Sequence, residues 1–312
     1  MALIKDVTVL ASGLEFPEGP IAMPDGSILF VEIKRRTLSR VTPDGKVEIV
    51  AEPGGGPNGA AIGPDGACYL ANDGGCFSWV DVGGFCLPGP LPDDYSGGRI
   101  ERVDLDTGDV KVLYTECDSQ PLRAPNDVVF DAQGGLWFTD HGTRYERSMD
   151  RTGIYYCQPD GSAIKEAIFP VNEPNGIGLS PAEDKVFYAE TWTGRVFQIP
   201  LTGPGQAGSV GLLDTSACLA GLADLQLLDS LAVQEDGSVC VATLVRGGIT
   251  VIRPDGSREH VALPDEYVDP MTTNICFGGP DLKTAYITLS GRGLLVSVPW
   301  PEPGLKLNFV NK

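Results

Sequence analysis

Six oxygen-bearing side chains recur in one local setting. They are Glu18 in Phe-Pro-Glu-Gly-Pro, Asn58 in Gly-Pro-Asn-Gly, Asn126 in Ala-Pro-Asn-Asp, Asn175 in Glu-Pro-Asn-Gly, Asp229 in Leu-Asp-Ser and Asn274 in Thr-Asn-Ile. Each precedes an apolar run. Carboxylates and amides without histidine or thiolate suit a hard divalent cation, Ca²⁺ first, with Mg²⁺, Mn²⁺ or Zn²⁺ admitted, and two carboxylates balance its charge. Taken singly, Pro-Asn-Gly or Leu-Asp-Ser is a turn signal, because Asn and Asp tolerate left-handed backbone and bond their own chain. Six copies in phase favour a ring of donors.

The elements that must carry such a ring are legible in the fullest copy, which runs from Arg123 through Ala-Pro-Asn126-Asp-Val-Val-Phe to Thr-Asp140-His141-Gly142. A polar residue opens an apolar run, a Gly-containing turn follows, and a second apolar run ends on a polar group. Copies begin 40, 68, 49, 54 and 45 residues apart, a period typical of radial or stacked repeats, and each unit reads as strands only. The expected fold is all-β: a six-bladed β-propeller of four-stranded antiparallel blades, with residues 1–312 as one domain. Radial symmetry would bring the six side chains to one mouth of the central channel.

Hairpins with Pro-Asp-Gly or Asp-Thr-Gly turns supply the outer strands at 38–51, 100–114, 154–168 and 249–263, and residues 196–213 and 294–310 fill the same slot less regularly. The lone strand at 7–11 resembles the last strand of a blade that lacks its beginning, so it should close the circle against the final blade. Its partner is either 294–298 or 305–310. An insertion at 74–98 breaks the rhythm with Phe77, Trp79, Phe85 and Tyr95. It reads as an apolar lid over the pocket, or as a packed loop or a contact with another subunit.

The chain has 40 glycines and 25 prolines with 42% hydrophobic residues, as short strands and tight turns require. A net charge of −19 disfavours nucleic acid and anionic membrane as partners. The start lacks a signal-peptide core and no apolar run reaches membrane-spanning length, so a cytoplasmic location is expected. The eight cysteines read mostly as reduced, buried hydrophobes, with Cys76 and Cys86 the pair that could bridge. His260, in Arg-Glu-His, reads as solvated. No Gly-x-Ser-x-Gly elbow, phosphate loop or Cys-x-x-Cys pair is present.

Phe-Pro-Glu18-Gly-Pro, Pro-Asn126-Asp-Val, Pro-Asn175-Gly-Ile, Asp229-Ser-Leu-Ala-Val and Asn274-Ile-Cys-Phe-Gly-Gly-Pro-Asp together resemble the senescence marker protein/gluconolactonase/regucalcin family, over essentially the full length. The resemblance implies a metal-dependent lactonase acting on a small-molecule lactone. It makes Glu18, Asn175 and Asp229 metal ligands, and Asn126 a ligand or substrate contact. Related propellers cleave organophosphorus fluorides, so a phosphofluoridate hydrolase and a non-catalytic calcium-binding propeller are the alternatives. The family often has Gly where this chain has Ser230, and Arg123 is the counterpart, at altered spacing, of an arginine that holds sugar substrates. The cation would polarise the carbonyl while Asp229 acts as general base or nucleophile. Arg123, Asn58 and Asn274 are expected at the substrate. His141 either carries a proton there or is a hydrogen-bonded structural histidine.

Overall fold

A computed structural model describes residues 2–211 and 214–312. Six sheets are arranged as propeller blades. Their innermost strands are Pro17–Ala22, Pro57–Ile62, Pro125–Phe130, Pro174–Leu179, Leu227–Val233 and Thr272–Gly278. Proline opens four of them because a first strand residue need not donate to the ladder. The next strands are packed on both faces between blades, and Ile28–Glu32, Cys68–Asn72, Leu136–Asp140 and Val239–Leu244 are buried at every residue. This is why they read as unbroken apolar runs. Outer strands such as Val47–Ala51 alternate between exposure and partial burial.

Thr8–Ser12 pairs antiparallel with Leu294–Pro299 and completes the sixth blade, which closes the circle as expected. Residues 305–310 are not a strand. They form a tail across the channel end remote from the ring, where Leu305 N–H donates to Val233 O at 2.8 Å and Asn308 Nδ2 to Phe130 O at 3.1 Å. The tail and the inner strands enclose an apolar cavity of about 100 Å³. In blade four Arg195–Gly203 pairs with Cys218–Gly221, so the outer strand lies beyond the expected hairpin, whose end at Leu213 is outside the described residues.

The polar residue that ends the second run in blades one to four has a structural task. Glu32 Oε2 accepts the N–H of Glu15, Asn72 Oδ1 that of Gly56, and Glu190 Oε1 that of Asn172, each just upstream of an inner strand. Asp140 is the strongest case: its carboxylate accepts the N–H groups of Arg123 and Ala124 at 2.7 Å and of Gly142 at 3.0 Å. These clamps fix the chain two or three residues before Asn58, Asn126 and Asn175. Asp140→Ala orphans three N–H groups around a buried site and is expected to lower stability by about 3 kcal/mol. Urea unfolding followed by fluorescence measures it, and a loss below about 1 kcal/mol would refute the clamp.

The insertion at 74–98 is built around a hairpin, Trp79–Val82 with Phe85–Pro88. It lies on the ring's face and touches three other blades. The Trp79 and Phe16 rings are 4.7 Å apart, Cys86 N–H donates to Gly291 O at 2.8 Å, and Tyr95 Oη donates to Arg123 O at 2.5 Å. Cys76 and Cys86 do not pair; all eight cysteines are free thiols. His260 is partly buried rather than solvated, 3.2 Å from Thr250 Oγ1, and burial lowers its pKa to about 4. Among the described residues no helix is long and apolar enough to cross a membrane.

Candidate functional site

Each inner strand loses its pairing register at its first residues, between Pro17 or Glu18 and Ile21 in blade one, Pro57 and Ala60 in blade two, Pro125 and Val128 in blade three, and likewise in the others. Such bulges re-aim side chains at the end of a sheet. Here they turn the six predicted residues toward the channel mouth, where the strands also come very close. A Cβ at Gly59 would lie 2.5 Å from Asn126 O, and one at Gly176 2.6 Å from Leu231 N. Glycine after Asn58 and Asn175 is therefore a steric requirement.

Five of the six ring residues are buried, and Asp229 alone keeps partial exposure. Burial pushes the Glu18 carboxyl well above its ordinary value, and the neighbouring Asp229 and Asp127 push it further. Asp229 is raised to about 7 by burial, with Asp127 adding to the shift and a hydrogen bond from Asn175 opposing it. Asp127 is raised to about 7 by burial, against N–H bonds from Val128 at 2.9 Å and Ile177 at 3.3 Å. Three acids converge with no Lys or Arg among the groups that bear most on them. Such a cluster invites either protons or a cation.

The oxygens discriminate among the ring members. Glu18 Oε1, Asn126 Oδ1 and Asn175 Oδ1 are buried and accept no hydrogen bond, and neither does Ser230 Oγ beside Asp229. Buried polar atoms almost always find partners, so a group of orphaned acceptors fits the donor set of a cation site. Asn274 differs: its Oδ1 accepts the N–H of Ile275 at 2.7 Å, and its Nδ2 donates to Glu18 Oε2 at 2.6 Å. It orients Glu18. Asn58 is buried beside Asp73, whose pKa burial raises to about 6 against the pull of backbone N–H groups and of Asn58. The donor set is mixed, and among the described residues no three His, Cys, Asp or Glu side chains form a metal-holding group by themselves.

The remaining predicted residues stand on the rim. Arg123 reaches Asp150, Nε to Oδ2 3.9 Å, and is half exposed. His141 is partly buried, with Nδ1 3.3 Å from Gly142 O, and burial lowers its pKa while Glu173 opposes the shift. The structure thus separates Glu18, Asn126, Asn175 and Asp229, with their free or acidic oxygens, from Asn58, Asn274, Arg123 and His141. Asp127 lies among these acids without having been singled out from the sequence, and Ser230, noted there only as a departure from the family's glycine, adds an orphaned hydroxyl. The signal was there for Asp127, since it replaces the glycine that follows the ring residue in blades one, two and four.

Fold and site together define the class: a six-bladed propeller with oxygen donors converging at one channel mouth. The chain matches the family described as SMP-30/Gluconolactonase/LRE-like region over residues 16–291, and it belongs to that family. It is 27% identical to a gluconolactonase of Zymomonas mobilis, over 91% of this chain and 79% of that one. It is also 27% identical to the lactonase drp35 of Staphylococcus saprophyticus, over 74% of this chain and 64% of that protein's length. In fold it resembles a calcium-binding protein, regucalcin, of Agrobacterium tumefaciens, with a TM-score of 0.72, 19% identity and coverage of 98% and 99% of the two chains.

Proposed function

We propose that this protein is a lactonase in which Glu18, Asn126, Asn175 and Asp229 hold one divalent cation at the channel mouth. The observation that carries the proposal is the meeting of three orphaned buried oxygens with carboxyls whose charge nothing nearby compensates. Oxygen donors alone favour Ca²⁺ over Zn²⁺, Mg²⁺ or Mn²⁺. A cation so held would supply Lewis-acid polarisation of the lactone carbonyl. Asp229, the ring carboxylate open to solvent, takes the proton of the attacking water or attacks the carbonyl itself. By the first route a new C–O bond forms to the water oxygen, the ring C–O bond breaks, and the proton on Asp229 passes to the departing alkoxide. The product is a hydroxy acid. Arg123, His141 and Asn58 line the approach. The eight free thiols and acidic surface suit a cytoplasmic enzyme.

The test is proton release over a panel of sugar, alkyl and aromatic lactones, with chelated protein and after return of each cation. Turnover that depends on cation supports the reading. Cation binding without turnover of any lactone would favour a non-catalytic calcium-binding propeller or the phosphofluoridate reaction. The two amides also separate. Asn175→Ala removes an orphaned oxygen, whereas Asn274→Ala removes only a support of Glu18, for which losses of about tenfold in affinity are usual. Calorimetric titration with Ca²⁺ should show the larger loss in Asn175→Ala, and equal affinities would undo the ranking.

A further inference from the structure

Trp192 is 50% exposed on the face that carries the ring. It belongs to the short turn 191–194 between Lys185–Glu190 and Arg195–Gly203. That turn is bonded to both chains that deliver Asn175 and Asp229. Thr191 N–H donates to Glu173 O at 3.2 Å, Thr191 Oγ1 accepts from Asn175 Nδ2 at 3.2 Å, and Thr191 O accepts the N–H of Leu228 at 3.2 Å. The turn that carries the indole therefore adjoins the chains of two ring members.

Its orientation is supported from one side. The Arg144 guanidinium carbon lies 4.1 Å from the indole centre. Arg144 is itself pinned by buried Glu173, through Nη2 to Oε2 at 2.6 Å and through a second bond from Nε to Oε1. A guanidinium clamped between a buried carboxylate and an indole holds the ring still, at little further entropy cost to a ligand. Those two bonds also take guanidinium donors that a sugar hydroxyl would need.

That face also carries exposed apolar side chains, set among charged ones such as Glu146 and Arg147. Tyr145 and Met149 on the blade-three loop, Leu225 ahead of Asp229, and Val245 in blade five are all exposed. Val245 has φ 71°, which is strained for a β-branched residue and must be imposed by its setting, including its N–H bond to Pro270 O at 2.8 Å. Exposed apolar side chains on the site face, beside a half-exposed and braced indole, suit a ligand with apolar substituents.

We propose that Trp192, backed by Arg144, is the platform that receives the part of the lactone outside the ester ring, which makes aromatic and alkyl-substituted lactones the substrate class in preference to polyhydroxylated sugar lactones. This rests on the lactone reading of the ring. Trp192 is a specificity residue and moves no proton.

The experiment compares a benzo-fused δ-lactone, unsubstituted δ-lactone and glucono-δ-lactone with wild type, Trp192→Ala and Trp192→Phe. Trp192→Ala should lose about tenfold in kcat/KM on the benzo-fused substrate, through KM, with less than about twofold change on the unsubstituted ring, and Trp192→Phe should recover most of the loss. An equal loss on every substrate, no loss at all, or a wild-type preference for the glucono-lactone would overturn the platform. Binding of the benzo-fused δ-lactam, a non-hydrolysed analogue, is measured in parallel by calorimetry. If wild type opens no lactone yet binds the lactam about tenfold better than Trp192→Ala, the platform stands and the reaction reading falls. If neither occurs, both fall.

Discussion

Asp229→Asn is expected to lower kcat/KM for lactone opening about 10³-fold, the scale of a lost general base, while the protein stays folded. The reason it should fold lies in the electrostatics of the mouth. Asp229 raises the pKa of Glu18, and Asp127 raises that of Asp229, so the wild-type ring holds more negative charge than its surroundings favour. An amide of the same shape removes one of those charges. Chelated Asp229→Asn should therefore melt at the wild-type temperature or above it, and circular dichroism melts run beside the rate assay distinguish lost chemistry from lost structure. Activity within about tenfold of wild type would remove Asp229 from the proton-transfer role. Asp127, buried and likewise raised to about 7, would then be the carboxylate to test.

The architecture was legible because a propeller repeats its instructions. Pro or a polar residue ahead of an apolar run, and a polar residue after the next run, recur in phase, and the structure gives each a physical cause: a strand start that needs no donor, a bulge, and a clamp on backbone N–H groups. The tail at 305–310 was not legible, since its alternating Leu305, Leu307 and Phe309 suit a strand as well as a stopper, and only the empty channel end decides between them. His260 misled for a similar reason. Charged neighbours in sequence suggested solvent, but neighbours along an outer strand point to opposite faces, and the histidine is turned toward Thr250. Within the ring, type and spacing could not separate ligands from supports. Asn175 and Asn274 are the same residue in equivalent places, and what divides them is which amide oxygen already has an N–H partner.

The same orphaned and acidic oxygens set an expected coupling between pH, cation and stability. In chelated protein Asp229 and Asp127 titrate at about 7 and Glu18 well above its ordinary 4.5, whereas in the unfolded chain such carboxyls lose their protons near 4. From about pH 4 upward the folded protein binds more of these protons than the unfolded chain, so this contribution to stability is full below pH 4 and drains away as pH rises through about 7. The two histidines act the other way. Burial lowers both, so the unfolded chain takes their protons first, but that effect fades above their ordinary value of 6.5 and is gone by about pH 7.5. Buried thiols such as Cys68, raised by burial to about 12, matter only above their ordinary 9.0. From pH 6.5 to 8 the acids at the mouth, with Asp73 contributing at the lower edge, outweigh the fading histidines, and there the chelated protein should lose melting temperature steadily. A divalent cation replaces the protons. At about 1,000 times its dissociation constant it adds about 4 kcal/mol, which for a chain of this size is a rise of about 6 °C. The rise should be largest at pH 8 and shrink toward pH 6.5 as protons compete for the same oxygens. Differential scanning fluorimetry with chelator and with Ca²⁺ across that window checks both slopes. A chelated protein whose melting temperature is flat there, with no Ca²⁺-dependent rise at pH 8, would mean that the orphaned oxygens of Glu18, Asn126 and Asn175 serve something other than a cation.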